Sequence, residues 1–282
     1  VRIALPALHN TGVSSAVGGR HPNALTLVRR LVDEFRPDLL VFPELSACGY
    51  PGLVDAVADD AALSAVAEPL IGPTASSYAE LSRKSQCTIV FGLCELDDSG
   101  LRYNTVVLAD PAGTLTGYRK IHLTERERRH FSAGTHAVVA DTGIGRIGLS
   151  SCYDKMFPQV YQRQRERGGQ ISVIASAWSS RSAGAAGSAD TLADQSLLFD
   201  RARAAETGMV VISTNYEGPK LPGSVERFCG GQRVIDGLGQ VVAPSRHGAG
   251  VSVWEFDVEQ AARAVHAFND GDFYTRDSRR VR

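Results

Sequence analysis

The stretch Arg146-Ile147-Gly148-Leu149-Ser150-Ser151-Cys152, with the run Ile171-Ser172-Val173-Ile174-Ala175-Ser176-Ala177 that follows it, decides the fold class. Each run is apolar and β-branched enough for a buried strand. Between them Pro158 suits the first turn of a helix and Gly168-Gly169 its end, because proline lacks the N–H that a first turn leaves unused and glycine tolerates the left-handed exit. Strand, helix and strand in succession predict helices layered on sheet, an α/β protein.

The same alternation extends both ways. Val1 to Leu8, Leu39 to Phe42, Thr88 to Gly92 and Asn104 to Ala109 read as strands, while His21 to Glu34, Leu63 to Leu70 and Thr74 to Gln86 carry helical spacing. Asp110-Pro111-Ala112-Gly113 predicts a hairpin into Thr114 to Tyr118, and Asp141-Thr142-Gly143 a second one. Ala189 to Thr207 reads as a long helix, Met209 to Asn215 as a strand, Asp236-Gly237-Leu238-Gly239 as a turn, and Val251 to Phe256 as a last strand. Ser179 to Asp190, rich in Gly, Ala and Ser, reads as a mobile loop beside any site. No break in composition divides the chain, so one domain is expected over 1–266, with 267–282 an arm at a subunit interface.

Composition narrows the function classes. The 282 residues hold 30 Lys+Arg against 31 Asp+Glu, without the clustered cations that nucleic-acid phosphates reward. No apolar run approaches the roughly 20 residues of a membrane span, and the first residues lack a signal-peptide core, which predicts a cytoplasmic protein with neither membrane nor nucleic acid as partner. Cys48, Cys87, Cys94, Cys152 and Cys229 are odd in number and lack Cys-x-x-Cys spacing, so neither a disulfide framework nor a zinc site is expected. Among the histidines, His122 and His130 stand eight apart with no further ligand at metal spacing. Neither metal nor cofactor is predicted.

Side chains just beyond the carboxyl ends of strands can reach a cleft. Glu44 follows Leu39 to Phe42, Lys120 follows Leu115 to Arg119, and Cys152 follows Ile147 to Ser151, so a carboxylate, an ammonium and a thiol are expected to project from neighbouring strand ends into one pocket. Taken singly, each has a bland reading as a loop carboxylate, a surface lysine or a small core thiol. Together they make chemical sense. A thiol needs a base to attack an acyl carbon, and a cation stabilises the oxyanion that results.

Phe42-Pro43-Glu44-Leu45 with Gly49-Tyr50-Pro51, Tyr118-Arg119-Lys120-Ile121-His122-Leu123, and Cys152-Tyr153-Asp154-Lys155-Met156-Phe157-Pro158 resemble, in order and spacing, the three signature blocks of the nitrilase superfamily, the carbon-nitrogen hydrolases. The resemblance continues through Ser176-Ala177-Trp178, Arg203-Ala204-Ala205-Glu206 and Gly231 to Gly239, covering nearly the whole chain. It implies a four-layer αββα sandwich, assembly into homo-oligomers (dimers or larger), and catalysis by Glu44, Lys120 and Cys152 with the Tyr153 backbone N–H as oxyanion donor. It also implies a second glutamate in Glu125-Arg126-Glu127, and counting back from Gly134 favours Glu127 over Glu125. Tyr50 and Trp178 become candidate substrate-binding walls by their place beside the blocks; core packing is their bland alternative. Asn104 reads more readily as fixing a strand end than as a site group. Gln159 and Thr207 depart from the family pattern without removing nucleophile, base or oxyanion donor.

The expected reaction is hydrolysis of a small amide-like substrate at a non-peptide C–N bond through a Cys152 thioester, to acid plus ammonia or amine. Nitrile hydrolysis and amide-forming acyl transfer use the same intermediate, and a catalytically silent binding protein of this fold is the remaining alternative. A Cys-His hydrolase would leave Glu44 and Lys120 without work. Gly143-Ile144-Gly145-Arg146-Ile147-Gly148 spells a dinucleotide fingerprint but precedes a strand instead of the helix that phosphate binding needs.

Overall fold

The structure, a computed structural model, describes residues 1–9, 22–50, 54, 60–180, 191–220, 223–248 and 250–268. Its strands form two sheets. The first has the order Arg246–Gly248, Val251–Glu255, Arg2–Pro6, Leu39–Val41, Thr88–Leu96, Arg102–Ala109, Leu115–Arg119. The second runs Ser179–Ser180, Arg227–Cys229, Val210–Pro219, Ile171–Ser176, Gly145–Ser151, Val138–Thr142, with Arg233–Ile235, Val241–Val242 and Leu8–His9 attached through Val210–Pro219. Gly145–Ser151, Ile171–Ser176 and Val210–Pro219 are parallel, as a strand-helix-strand sequence requires.

Alternation along the strands builds the layers. Ile3, Leu5, Leu39, Val41 and Val90 turn one way and meet Ile147, Leu149, Ile171, Val173 and Ile212 of the second sheet in one buried cluster. Their neighbours Ala4, Leu40, Ile89 and Phe91 turn the other way, against Val28, Leu31 and Phe35 of helix Pro22–Phe35 and Tyr78 of helix Pro73–Ser85. On the far side Ile174, Val211 and Ile235 pack on Val160 and Tyr161 of helix Pro158–Glu166 and Ala204 of helix Thr191–Thr207. The result is helix, sheet, sheet, helix, the expected four-layer arrangement. Strands buried on both faces explain why their sequences read as near-continuous apolar runs.

Several elements differ from the sequence reading. Strand Thr88–Leu96 runs past Gly92, and Asp97 and Gly100 close a turn into Arg102–Ala109. Ser179 and Ser180, expected in a loop, form a short strand paired with Phe228 and Arg227, while 181–190 lie outside the described residues. Helix Val258–Phe268 crosses the boundary expected after residue 266, and the arm beyond 268 is likewise outside them. Among the described residues no helix is long and apolar enough to cross a membrane.

The first sheet fixes the loop after Leu39–Val41 by close approach. Gly92 donates its N–H to Ser46 Oγ at 3.1 Å and accepts from Ala47 N–H at 2.9 Å, so the turn lies flat on the strand. A Cβ on Gly92 would come within 2.0 Å of Leu45 N. Gly92→Ala is therefore expected to cost about 1–3 kcal/mol, the range for forced overpacking, read as a lower urea midpoint with unchanged denaturant slope.

Candidate active site

Glu44 leaves strand Leu39–Val41 after one proline and has no exposed surface. The next residue, Leu45, takes a left-handed φ of 50°, which turns the chain sharply and aims Glu44 between the sheets. Its Oε1 accepts from Lys120 Nζ at 2.6 Å, Asn104 Nδ2 at 2.7 Å and Ser151 Oγ at 3.0 Å; its Oε2 accepts from Ala177 N–H at 3.0 Å. Tyr216 donates its hydroxyl to the Glu44 carbonyl at 3.0 Å.

Lys120 follows strand Leu115–Arg119 and is equally buried. Its N–H bonds to Asn104 O and its carbonyl accepts from Gly134 N–H, both at 2.8 Å. Its ammonium donates to Glu44 and, at 2.7 and 2.9 Å, to both carboxylate oxygens of Glu127. Glu127 opens a short 3₁₀ turn, Glu127–Arg129, prepared by a reciprocal pair: Thr124 N–H donates to Glu127 Oε2 at 2.9 Å, and Glu127 N–H to Thr124 Oγ1 at 3.3 Å. That is the capping-box pattern Thr124-x-x-Glu127, a sequence signal that separates Glu127 from Glu125. Glu125 instead points outward, its side chain 93% exposed and 4.0 Å from Arg129.

Cys152 ends the strand Gly145–Ser151 of the other sheet and starts a 3₁₀ turn, Cys152–Met156. Its φ of 42° is uncommon for a residue with a Cβ and costs on the order of 1–3 kcal/mol, which the surrounding packing must offset. The Ala177 N–H, which donates to Glu44, also favours the charged form of the Cys152 sulfur. Cys152, 5% exposed as a residue, lines a cleft of about 650 Å³ together with Tyr50, Tyr153, Met156, Ala177, Trp178 and Lys220, among others. Trp178 is held at both ends, its N–H on Asn215 Oδ1 at 2.8 Å and its indole Nε1–H on Leu192 O at 2.9 Å.

The three strand ends do converge, but they are not neighbours. Two strands separate Leu39–Val41 from Leu115–Arg119, and Cys152 belongs to the opposite sheet. Glu44 and Lys120 meet because their strands run the same way across two antiparallel turns of the sheet, and Cys152 joins them because the sheets stack face to face. Asn104, read from sequence mainly as a strand-end residue, also bridges Glu44 and Glu127, its Nδ2 donating to an oxygen of each at 2.7 and 2.9 Å. Ser151 and Asp154 join through the capping box Ser151-x-x-Asp154 at the start of the Cys152 turn, a sequence signal of the same kind as Thr124-x-x-Glu127, while Tyr216 joins with none. The Gly143 to Gly148 motif lies in the hairpin of Val138–Thr142 and Gly145–Ser151. Pro51, of the first block, lies outside the described residues.

Burial governs the ionisation. It lifts Glu44 to about 7, with Lys120 opposing and Glu127 adding to the rise. For Glu127 burial pulls the same way, but the Lys120 charge and hydrogen bond, with those of Thr124, outweigh it and hold this carboxyl below its ordinary value. Burial would strip the proton from Lys120; the two glutamates keep it well above the usual range. The Cys152 thiol is pushed well up by burial and then by Glu44, against the pull of Lys120. The site is thus a fixed Lys120–Glu127 ion pair, a carboxyl that titrates near neutrality, and a protonated thiol.

The sequence profile of the carbon-nitrogen hydrolase family matches residues 3–264. An (R)-stereoselective amidase of a Pseudomonas species is 30% identical over 243 residues, spanning 86% of this chain and 80% of that protein. A probable nitrilase of Schizosaccharomyces pombe is 27% identical over 230 residues, 79% of this chain and 77% of that protein. In structure, a carbon-nitrogen hydrolase from Helicobacter pylori superposes with a TM-score of 0.75 at 18% identity, covering 98% of this chain and 94% of its own. A Nesterenkonia amidase, solved with acrylamide added at its active-site cysteine, gives 0.67 at 24% identity, covering 95% and 99%.

Removing the central cation exposes what it offsets. In Lys120→Met, Glu44 and Glu127 face each other buried and unpaired, a loss of roughly 3–5 kcal/mol. Both carboxyls then bind protons more tightly folded than unfolded, so the variant's stability falls as pH rises from the ordinary carboxylate range through their raised values. Urea unfolding at pH 5 and pH 8 is expected to show a deficit relative to wild type that is large at pH 8 and much smaller at pH 5.

Proposed function

The chain belongs to the carbon-nitrogen hydrolase family, and on that footing we propose that it is an amidase, converting a small non-peptide amide to acid and ammonia or amine through a thioester on Cys152. The observation that carries this reading is the buried Glu44–Lys120–Glu127 cluster, whose charges act directly on the thiol of Cys152, a residue that lines a cleft.

Because the thiol holds its proton more tightly than Glu44, no free thiolate waits in the resting site. The proton passes from Cys152 Sγ to Glu44 as the S–C bond forms, and the carbonyl π electrons move onto oxygen. That oxyanion is met by Lys120 Nζ–H and the Tyr153 backbone N–H. Proton gain by Glu44 weakens its hold on the ammonium, releasing an N–H at the moment the oxyanion needs it. Collapse breaks the C–N bond, and Glu44 returns the proton to the departing nitrogen. Water then gives a proton to Glu44 and attacks the thioester; the C–S bond breaks and the sulfur recovers its proton. Throughout, Glu127 keeps Lys120 charged and in place, and Tyr50 and Trp178 wall the acyl group.

Intact mass spectrometry after incubation with a panel of simple amides should show an acyl adduct on wild-type protein that is absent from Cys152→Ala; persistent turnover in that variant would reject the assignment. The pH profile of kcat/KM should rise through a midpoint near 7, since Glu44 accepts a proton only when ionised. Glu127→Gln removes a charge that raises Glu44, so the residual activity of this variant is expected to have its acid limb at lower pH.

A further inference from the structure

The chemistry above makes no use of Asp154, a fully buried carboxylate two residues past Cys152. Its Oδ2 accepts from the Tyr118 hydroxyl at 2.7 Å and from Ser151 N–H at 3.1 Å. Its Oδ1 accepts from His122 N–H at 2.9 Å and stands 2.9 Å from His122 Nδ1. A carboxylate only accepts, so the ring carries a proton on that nitrogen. The His122 ring is itself stacked on Phe157, centroids 3.7 Å apart and 4° from parallel, which fixes the plane along which Nδ1 points.

These partners are not scattered. Tyr118 and His122 stand two residues on either side of Lys120, in the first sheet and its exit; Ser151 immediately precedes Cys152 in the second. Glu44 is tied to the second sheet directly, through Ser151 Oγ and Ala177 N–H. Among the described residues the Lys120 ammonium donates to Glu44 and Glu127 and to no atom of the second sheet. Its place relative to the sulfur is therefore set indirectly, through Glu44 and through its own backbone.

We propose that Asp154 is a positioning residue that sets the Lys120 ammonium against the Cys152 sulfur, by clamping both flanks of Lys120 to the start of the Cys152 turn. An amide cannot replace it. Asparagine keeps one acceptor oxygen, but its NH₂ would face either Ser151 N–H or His122 N–H, a backbone donor that cannot turn round even where the Tyr118 hydroxyl rotates or the His122 ring changes tautomer to accept. One flank must then part from the turn, and Lys120 recedes with it.

The proposal rests on the amidase reading in taking Glu44 as the base for Cys152, so its test uses a probe that needs no substrate. Iodoacetamide alkylation of Cys152 is followed across pH by mass spectrometry of the Cys152 peptide, in wild type, Asp154→Asn and Tyr118→Phe. The groups facing Glu44 are Lys120, Glu127, Asn104, Ser151, Cys152, the Tyr216 hydroxyl and the Ala177 N–H. Of these only Lys120 moves away in the variants, and its loss raises the Glu44 midpoint. Wild type is expected to react through a midpoint near 7. Asp154→Asn should react about ten- to a hundredfold more slowly, the scale of loss when a reacting group is misplaced by about 1 Å, with its midpoint shifted upward. Tyr118→Phe should shift the same way by less.

A folded Asp154→Asn with the wild-type rate and midpoint overturns the proposal. If that variant does not fold, Tyr118→Phe decides, and wild-type behaviour there overturns it equally. Absence of any acyl adduct from amides, with the alkylation midpoints shifted as stated, rejects the amidase reading and leaves the clamp standing; the reverse pair of results rejects the clamp alone.

Discussion

One ammonium between two carboxylates, none of the three exposed to water, governs the layout of this molecule. Removing such charges from water costs several kcal/mol each, and only close pairing with every remaining lone pair occupied makes the arrangement tolerable. Asn104, Ser151, Thr124 and the Ala177 N–H fill those lone pairs. With both carboxyls ionised the cluster carries one negative charge too many, and that surplus weighs on the group least engaged by Lys120. Glu44 holds one contact to the ammonium where Glu127 holds two, and it is Glu44 whose proton affinity rises. A carboxyl poised near neutrality next to a thiol is thus a consequence of counting charges in a dry place, before any substrate enters.

Convergence of this kind strains the chain where it turns. Leu45, next to the glutamate, and Cys152, the thiol itself, both adopt left-handed backbone angles that side chains ordinarily avoid. Each costs on the order of 1–3 kcal/mol, and each sits where a strand buried on both faces supplies the compensating contacts. Gly134 shows the same constraint at Lys120: a Cβ there would meet the Arg119 carbonyl oxygen at 2.1 Å. Backbone pressed this closely shows how near the Gly134 segment lies to the strand end that carries Lys120.

The layers were legible because strand and helix periodicities are local properties of the chain. So were the three strand-end groups, each lying just past an apolar run. What periodicity does not carry is how two sheets register against each other. Ser151 reaches Glu44 across 107 positions, and Asp154 reaches Tyr118 across 36; neither partner betrays the other in the sequence. Asn104 is instructive, since its backbone does cap the strand end at Lys120 while its side chain joins two glutamates, and only the first role can be inferred from a strand boundary. Helix Val258–Phe268 is a different case. Val258, Ala261, Ala262 and Val265 stand at helical spacing, a signal present in the sequence and overshadowed there by the mixed charges of the tail.

The sheets divide the labour: the first supplies the charges, the second the thiol, and a few hydrogen bonds between them set the distance. Cleft walls, in contrast, include side chains outside the cluster's hydrogen bonds, among them Tyr50, Met156, Trp178 and the Lys220–Glu226 pair. Those walls can change in size and charge without disturbing the cluster, because each is anchored elsewhere, as Trp178 is on Asn215 and Leu192. A family built this way can vary what it accepts while keeping how it reacts. On the proposed amidase reading, the identity of the acyl group is accordingly a question about the cleft, and the reaction chemistry a question about the seam between the sheets.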